Sequence, residues 1–250
     1  MKSGFFLPLC ARFPECPDFI CGMRRTIHIA IALLCLLALA GCMKGLAPDY
    51  SDNDAPYEGE VTALFTIKQN AEGALYFQAG GQKLLPRDFN WAFVRQQRVM
   101  ANVYVDAAMQ DEYRTCSVYW VEPLDEGEFN GPDVAAGAVA RASDGIDILL
   151  SSWITGVDDG YLTIHYNTWW GNVPVHHDFS LVCQDTENPY SLFLVQDSHG
   201  DGQDELAEGI ICFDINKLPD TGGETVQLTL NWIKLDGTPG TANFEFKSRE

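Results

Sequence analysis

The sequence predicts an all-β protein in which a small OB-like barrel is followed by a β-sandwich. Two observations predict this fold class. Apolar and polar residues alternate along many short segments from residue 59 onward, which is the period of a half-buried strand. An acidic and then Ala/Gly-rich stretch at residues 126–144 interrupts the alternation and divides the strand-rich sequence into two domains.

Residues 1–41 are predicted to be upstream sequence and a lipoprotein signal peptide, with Met23 as the expected true start. Arg24 and Arg25 precede an apolar run that ends in Leu39-Ala40-Gly41-Cys42, and a basic start, an apolar core and small residues at the cleavage site make a secretory signal. A cleavage site that ends in cysteine is the lipobox of bacterial lipoproteins, so we expect Cys42 to carry lipid. A transmembrane helix is the alternative, but the apolar run is shorter than the roughly 20 residues that span a bilayer.

Residues 42–58 are predicted to form a flexible tether that begins at the lipidated cysteine. The segment is acidic, contains Pro48 and Pro56, and has no periodicity. Such composition is typical of a linker, and we expect it to hold the folded domains away from the membrane.

The composition is strongly acidic, with 16 Lys and Arg against 35 Asp and Glu. Removal of residues 1–41 takes away four basic and two acidic residues and leaves a net charge of −21. Such a field repels phosphate backbones, so no nucleic-acid partner is expected. It also repels anionic lipid, so attachment to the membrane is expected to depend on the acyl chains, in which each buried methylene contributes about 0.8 kcal/mol.

Residues 59–125 are predicted to form the OB-like barrel. A first strand alternates at Val61, Ala63, Phe65 and Ile67. A turn signal at residues 70–73 leads into a second strand, and two longer strands are predicted at residues 98–105 and 114–121. About five short strands in this space suit a small OB-like barrel.

Residues 126–144 are predicted to be a linker and residues 145–250 a β-sandwich. Residues 146–154 are predicted to form a strand, and Val157-Asp158-Asp159-Gly160 a hairpin turn. Clean alternation from Val226 to Trp232 predicts another strand near the end. Regularly spaced strand patterns without a helical pattern favour a sandwich.

Several short motifs follow in a recognisable order. They are Gln97-Arg98-Val99 leading into Tyr104, Gly160 to Tyr166, His177 to Val182, Asp197 to Asp201, and the alternating strand from Val226 to Trp232. Over most of residues 59–250 this order resembles the NigD-like lipoproteins of Bacteroidetes. The resemblance implies a lipobox, an N-terminal OB-like domain and a C-terminal β-sandwich, but no biochemical activity.

Three cysteines follow the predicted lipidation site, namely Cys116, Cys183 and Cys212. An odd number without C-x-x-C spacing encodes neither a disulfide framework nor a zinc site. We expect buried free thiols in strands, and the sequence leaves open whether two of them pair.

The loop from Asp197 to Glu208 is the sharpest candidate for a metal site. It places Asp197, Asp201 and Glu208 at ligand positions of a calcium loop. However, His199 stands where an oxygen ligand belongs, and a strand pattern follows where a helix is required. We therefore expect no metal cofactor and a hairpin loop whose acids face water, with calcium as the alternative.

Histidines are a second possible source of metal ligands. His176 and His177 are adjacent in a predicted strand, so they point to opposite faces and cannot easily share one metal. A convergence of His165, His177 and His199 is the alternative to histidines that are satisfied by hydrogen bonds within the sheets.

Tryptophans cluster around one predicted hairpin of the second domain. Trp153, Trp169 and Trp170 either fill core and hairpin contacts, which is the preferred interpretation, or form a platform on which a sugar ring stacks.

Residues 42–250 contain no G-x-S-x-G, H-E-x-x-H or phosphate-loop motif. We therefore assign no catalytic residue and expect no enzyme. The sequence predicts a non-catalytic lipoprotein of the cell envelope, anchored by its lipid and expected at the outer membrane, that binds or shields an envelope glycan or protein. The alternatives are a glycan-binding accessory protein that uses exposed tryptophans, and a bacteriocin-associated immunity-type protein, which rests on the family name alone.

Overall fold

Every regular element is a strand in the part of the chain that the computed structural model describes, which is residues 58–129, 131, 143–173, 175–185 and 187–249. The predicted all-β class is therefore confirmed. The predicted signal peptide, Cys42 and the tether up to residue 57 lie outside the described residues. Within the described ranges, no helix is long and apolar enough to cross a membrane.

The first five strands close into a barrel. They are β1 (Gly59–Gln69), β2 (Leu75–Ala79), β3 (Gln82–Pro86), β4 (Gln97–Gln110) and β5 (Tyr113–Pro123). Their order is β1-β2-β3-β5-β4, and antiparallel pairing of β1 with β4 completes the ring. The predicted five-stranded barrel is thus present, while its assignment to the OB class stays a prediction.

The barrel interior is filled by the apolar residues of the alternating pattern. In β4, Val99, Ala101 and Val103 have no exposed surface. Phe65 and Phe77 pack inside at a ring-centroid distance of 5.4 Å. Because successive strand residues point to opposite faces, the residues between them form the outer surface of the barrel.

The remaining strands form the two sheets of the sandwich. In chain order they are β6 (Asp125–Glu126), β7 (Glu128–Phe129), β8 (Asp147–Ile148), β9 (Gly156–Asp158), β10 (Tyr161–Trp170), β11 (Asp178–Asp185), β12 (Asn188–Asp197), β13 (Glu205–Asp214), β14 (Val226–Ile233) and β15 (Pro239–Phe246). One sheet has the order β6-β13-β10-β8, with β9 also paired to β10. The other has the order β15-β14-β12-β11-β7. A core that includes Leu162, Phe213, Leu192, Leu230 and Phe246 lies between them.

Two sequence predictions about the second domain need correction. The predicted linker at residues 126–144 begins inside the sandwich, because β6 pairs with β13 and β7 pairs with β11. Strands of two residues are too short to produce a periodic pattern, which is why the sequence hides them. The predicted strand at residues 146–154 is limited to β8, and residues 150–155 form turns.

The cysteines confirm the expectation of buried free thiols. Cys116 and Cys212 are free thiols, and all three cysteines are buried, in β5, β11 and β13. Burial raises the pKa of Cys116 and that of Cys212 to about 12, so both thiols stay protonated near neutral pH.

Barrel and sandwich meet at the turn between β9 and β10, which we call the junction turn (residues 158–160). Asp159 and Gly160 have φ angles of +48° and +73°, as a two-residue type I′ hairpin requires, so the predicted turn is confirmed. Lys68 of β1 places its Nζ 2.6 Å from Oδ1 of Asp159. Arg98 of β4 places Nη2 3.0 Å from Oδ2 of Asp158. Barrel cations thus hold the sandwich turn.

The junction is closed by a residue near the end of the described chain. Arg249 donates from Nε to the carbonyl oxygen of Asp159 at 2.8 Å and also donates to the side chain of Gln96. Its guanidinium lies over the ring of Tyr161, at 5.3 Å from the centroid. Three segments distant in sequence are therefore joined around one turn.

Candidate ligand-binding groove

A groove of about 620 Å³ opens between the two sheets of the sandwich, where β6 and β7 cross from one sheet to the other. Its apolar wall includes Tyr166 and Trp170 from β10 and Phe179 from β11. Because residues singled out by the sequence analysis line this groove, we treat it as the candidate site.

Trp170 is held in a fixed orientation at this groove. Its indole stacks on the imidazole of His177 with 4.0 Å between ring centroids and 9° between planes. The His177 side chain is completely buried, whereas the neighbouring His176 side chain is 89% exposed. The two neighbouring side chains therefore lie in different environments, as predicted, but both precede β11, so the predicted strand begins later than expected.

His177 is bound at both ring nitrogens. Nε2 of Gln196 lies 3.0 Å from Nδ1, and Oδ2 of Asp201 lies 3.1 Å from Nε2. An amide nitrogen can only donate, so Nδ1 is the acceptor and Nε2 carries the proton that it donates to Asp201. The same Gln196 amide donates to Oγ1 of Thr168 at 2.9 Å, which satisfies its second hydrogen. The expectation that this histidine is satisfied within the sandwich is confirmed.

Asp201 completes the network from the loop between β12 and β13. Its carboxylate accepts the backbone N–H of Gly171 at 2.9 Å and that of Gly202 at 2.8 Å. The Gly171 amide, together with the hydrogen bond from His177, lowers the pKa of Asp201. A Cβ at position 171 would lie 2.1 Å from Oδ1 of Asp201, so glycine is what allows this close approach.

The rim of the groove is acidic. Asp125, Glu126, Glu128, Asp178 and Asp197 all line it. Glu126 is paired with Arg95 at 2.8 Å. The exposed His176 and His199 contact Asp178 at 3.3 and 2.8 Å, and the hydrogen bond to Asp178 raises the pKa of His199. The carboxylates at the rim outnumber the cationic side chains beside them, so the rim attracts positively charged ligands.

The three candidate tryptophans do not form one platform. Trp169 and Trp170 are successive residues of β10, so their side chains lie on opposite faces of that sheet. Only Trp170 lines the groove. Trp153 is 45% exposed in the turns before β9. The sequence interpretation overlooked that the two adjacent indoles must separate in a strand.

The three candidate calcium ligands are also not brought together. Asp201 binds His177, Glu208 lies 3.1 Å from His165, and Asp197 lies 3.7 Å from Nδ1 of His199. Among the described residues, no group of three His, Cys, Asp or Glu side chains could hold a metal ion. The expected water-facing loop fits Asp197 and Glu208, which are 57% and 65% exposed, but was wrong for Asp201, which is 4% exposed.

His165 shares no hydrogen-bond partner with His177, which contacts Gln196 and Asp201, or with His199, which contacts Asp178, so the three histidines do not form one site. The His165 ring lies between Oγ of Ser152 at 2.9 Å and Oε2 of Glu208 at 3.1 Å. The Ser152 hydroxyl oxygen also accepts the backbone N–H of Ile154 at 3.2 Å. These contacts fasten the turns at residues 150–155 to β10.

Sequence reasoning missed the polar residues that position the groove. Thr168 and Gln196 act only through their contact across two sheets, and no local motif marks them. It also missed the exposed aromatic residues of the barrel, which lie in strands whose opposite faces form the core.

The chain belongs to the class of all-β proteins in which a closed five-stranded barrel is joined to a two-sheet sandwich. Comparisons with known proteins agree with this architecture. Residues 135–246 match the NigD-like C-terminal beta sandwich domain. The predicted resemblance to NigD-like proteins is therefore confirmed over these residues. No curated protein matches the chain.

Solved structures with a similar fold come from Parabacteroides and Bacteroides species. A protein of Parabacteroides distasonis, named only as toxin related, is 24% identical with a TM-score of 0.63, over 76% of this chain and 94% of its own. A Bacteroides vulgatus protein of unknown function, DUF1344, is 14% identical with a TM-score of 0.58, over 75% and 90%. A candidate lipoprotein of Bacteroides fragilis is 11% identical with a TM-score of 0.52, over 76% and 100%. At these identities the likeness concerns the fold alone.

Proposed function

We propose that this protein is a non-catalytic, lipid-anchored binding protein of the cell envelope, and that it takes a positively charged ligand into the groove beside Trp170. The observation that supports this most directly is the wall of the groove, where one fixed indole stands beside carboxylates from both sheets. Peptides or amines with clustered positive charge are the ligands that this combination suits.

Two attractive terms act on a cation in this groove. A cation over an indole face gains about 0.5–2 kcal/mol, more where water is excluded. Asp178 and Asp197, which are both more than half exposed, add attraction at the rim.

Binding is tested with the full chain made soluble by Cys42→Ser, using octalysine as the probe and octaglutamate as the negative control. We expect octalysine to bind in calorimetry. Trp170→Ala should weaken binding about 3- to 30-fold, because it removes the indole contact. Trp153→Ala is the matched control, since it removes an exposed indole outside the groove.

Charge needs its own control, because a strongly acidic protein attracts any polycation weakly. Asp178→Asn and Glu245→Gln each remove one negative charge, but only Asp178 lies at the groove. Equal losses in these two variants, or in the two tryptophan variants, would contradict a site in the groove.

The lipid anchor is tested by cell fractionation. Cys42→Ser removes the thiol that accepts lipid and should release the protein from the membrane fraction. Retention of the variant in the membrane would refute the anchor, and separation of inner from outer membranes tests the proposed outer-membrane location.

A bacteriocin-associated immunity role is the second candidate, and the acidic rim favours it only if the bacteriocin is basic. Deletion of the gene should then increase sensitivity to a bacteriocin encoded nearby, and unchanged sensitivity would remove this candidate. Glycan binding by Trp153, Trp169 and Trp170 together is not proposed, because Trp169 and Trp170 lie on opposite faces.

A further inference from the structure

The outer surface of the barrel exposes three large aromatic side chains close together. Tyr104 of β4 is 36% exposed, and Tyr119 and Trp120 of β5 are 60% and 43% exposed. We call these residues the barrel aromatic patch. They have no role in the barrel interior, which Val99, Ala101 and Val103 fill from the opposite face of β4.

The pairing of β4 with β5 explains why these rings share one face. Asn102 pairs with Trp120, and Val103 pairs with Val118, so Tyr119 is the extra residue of a bulge. A bulge leaves one residue unpaired and re-aims the strand. Tyr119 and Trp120 therefore both reach the outer face, instead of alternating between outside and core.

The barrel aromatic patch continues into a cleft at the boundary with the sandwich. Along β4, the outward positions run from Tyr104 through Asn102 to Met100, a distance of about 13 Å at the rise of a strand. Met100 pairs with Glu122, and both line a cleft of about 390 Å³ together with His165 and Glu208. Asn102 itself is buried, and its cross-strand partner Trp120 forms the outer surface at that point. An elongated ligand can therefore lie over Tyr104 and Trp120 with one end in the cleft.

We propose that this row is a binding site for a neutral oligosaccharide. Flat Tyr and Trp faces suit the C–H face of a sugar ring, and the groups of the cleft accept hydrogen bonds from sugar hydroxyls. Glu122 and Glu208 disfavour an anionic ligand. An apolar protein surface would take the exposed Glu122 carboxylate out of water, which is unfavourable. Glu208 already lies 3.1 Å from Nε2 of His165, which reduces its attraction for a cationic ligand.

This site is separate from the groove beside Trp170 and does not depend on the function proposed for it. Trp170 and His177 line the groove, whereas the barrel aromatic patch belongs to β4 and β5. The two proposals can therefore fail independently, and each has its own variants.

The experiment uses the full chain carrying Cys42→Ser and four neutral probes: cellohexaose, maltohexaose, xylohexaose and mannohexaose. We expect at least one to bind in calorimetry and to change tryptophan fluorescence. Trp120→Ala should weaken that binding about tenfold or more, since a stacked ring is lost, while Trp120→Phe should retain part of it. Trp153→Ala, which removes an exposed indole elsewhere, should change nothing.

Salt and a peptide probe separate the possible occupants. Binding of a neutral sugar should persist at high salt, whereas a basic peptide held by carboxylates would be released. The proposal is overturned if none of the four probes binds at concentrations up to about 10 mM, corresponding to a free energy weaker than about −3 kcal/mol. It is also overturned if Trp120→Ala and Trp153→Ala weaken sugar binding equally. The same holds if Trp120→Ala abolishes the binding of octalysine but leaves sugar binding unchanged.

Discussion

The junction turn and the rim of the groove both place carboxylates against cationic groups, but they differ in burial. At the junction, Asp159 and Lys68 have side chains only 7% and 10% exposed. At the rim, Asp178 and His199 are 62% and 47% exposed. The same type of contact is therefore structural in one region and open to solvent in the other.

The difference shows what each set of charges can do. Breaking a buried ion pair leaves one charge unpaired and costs about 3–5 kcal/mol, whereas an exposed pair contributes about 0–1 kcal/mol. The charged side chains at the junction stabilise the contact between barrel and sandwich. The rim charges contribute little to folding, so a ligand can compete for them at small cost.

The largest expected effect is at the junction. Asp159→Asn keeps a side chain that tolerates the positive φ angle of this turn but leaves Lys68 and Arg249 without their counter-charge. We expect the free energy of unfolding in urea to fall by about 3 kcal/mol. Asp88→Asn is the matched control, because Asp88 also has a φ angle of +48° and is exposed. Similar midpoints for the two variants would mean that burial does not distinguish the junction.

The next effect tests whether the floor of the groove is rigid although its rim is open. A Cβ at Gly127, between β6 and β7, would lie 2.2 Å from the ring of Phe213 and 2.9 Å from the carbonyl oxygen of Phe179. Gly127→Ala should therefore lower the free energy of unfolding by about 1–3 kcal/mol. Gly81→Ala, where nothing lies within 4 Å, should have a much smaller effect. If Gly127→Ala and Gly81→Ala are equally stable, residues 126–129 are not tightly packed into the sandwich, as expected of a linker.

A smaller effect concerns pH and the groove network. Because the folded-state pKa of Asp201 is lowered, its stabilising contribution is present above its unfolded pKa of about 3.9 and is lost as pH falls through the folded value. Asp201→Asn should remove this dependence, so the variant should lose less stability than the wild type between about pH 5 and 3. Melting temperatures across this range measure the slope, with Glu245→Gln as the exposed control. If melting temperature falls with pH equally in the wild type, Asp201→Asn and Glu245→Gln, Asp201 does not cause this pH dependence.

The smallest effect is at the rim. The folded-state pKa of His199 is raised by Asp178, so its contribution is present below about pH 6.5 and is lost as pH rises through the folded value. NMR titration should find this pKa above about 6.5, and Asp178→Asn should lower it. The melting temperature should hardly change, since both groups are exposed. A large loss of stability in Asp178→Asn would show that the ion pair at the rim is structural, like the one at the junction.

Residue patterns predicted much of this fold because strands leave a local signal. Alternation in β1, β4 and β14 and the Asp159-Gly160 turn are properties of neighbouring residues, and the structure agrees with them. The groove could not be predicted in the same way. Gln196 reaches Thr168 and His177 across distances of 28 and 19 residues, and Asp201 was assigned to solvent because its buried partners are not adjacent to it.

The two-residue strands β6 and β7 also have a consequence for association between copies of the protein. Each lies at the end of its sheet, beside β13 and β11, where an uncovered edge would offer free backbone groups to another chain. Their brevity and the carboxylates of Asp125, Glu126 and Glu128 make these two edges poor templates for strand addition. Copies of the protein at high concentration should thereby be kept from joining edge to edge into aggregates.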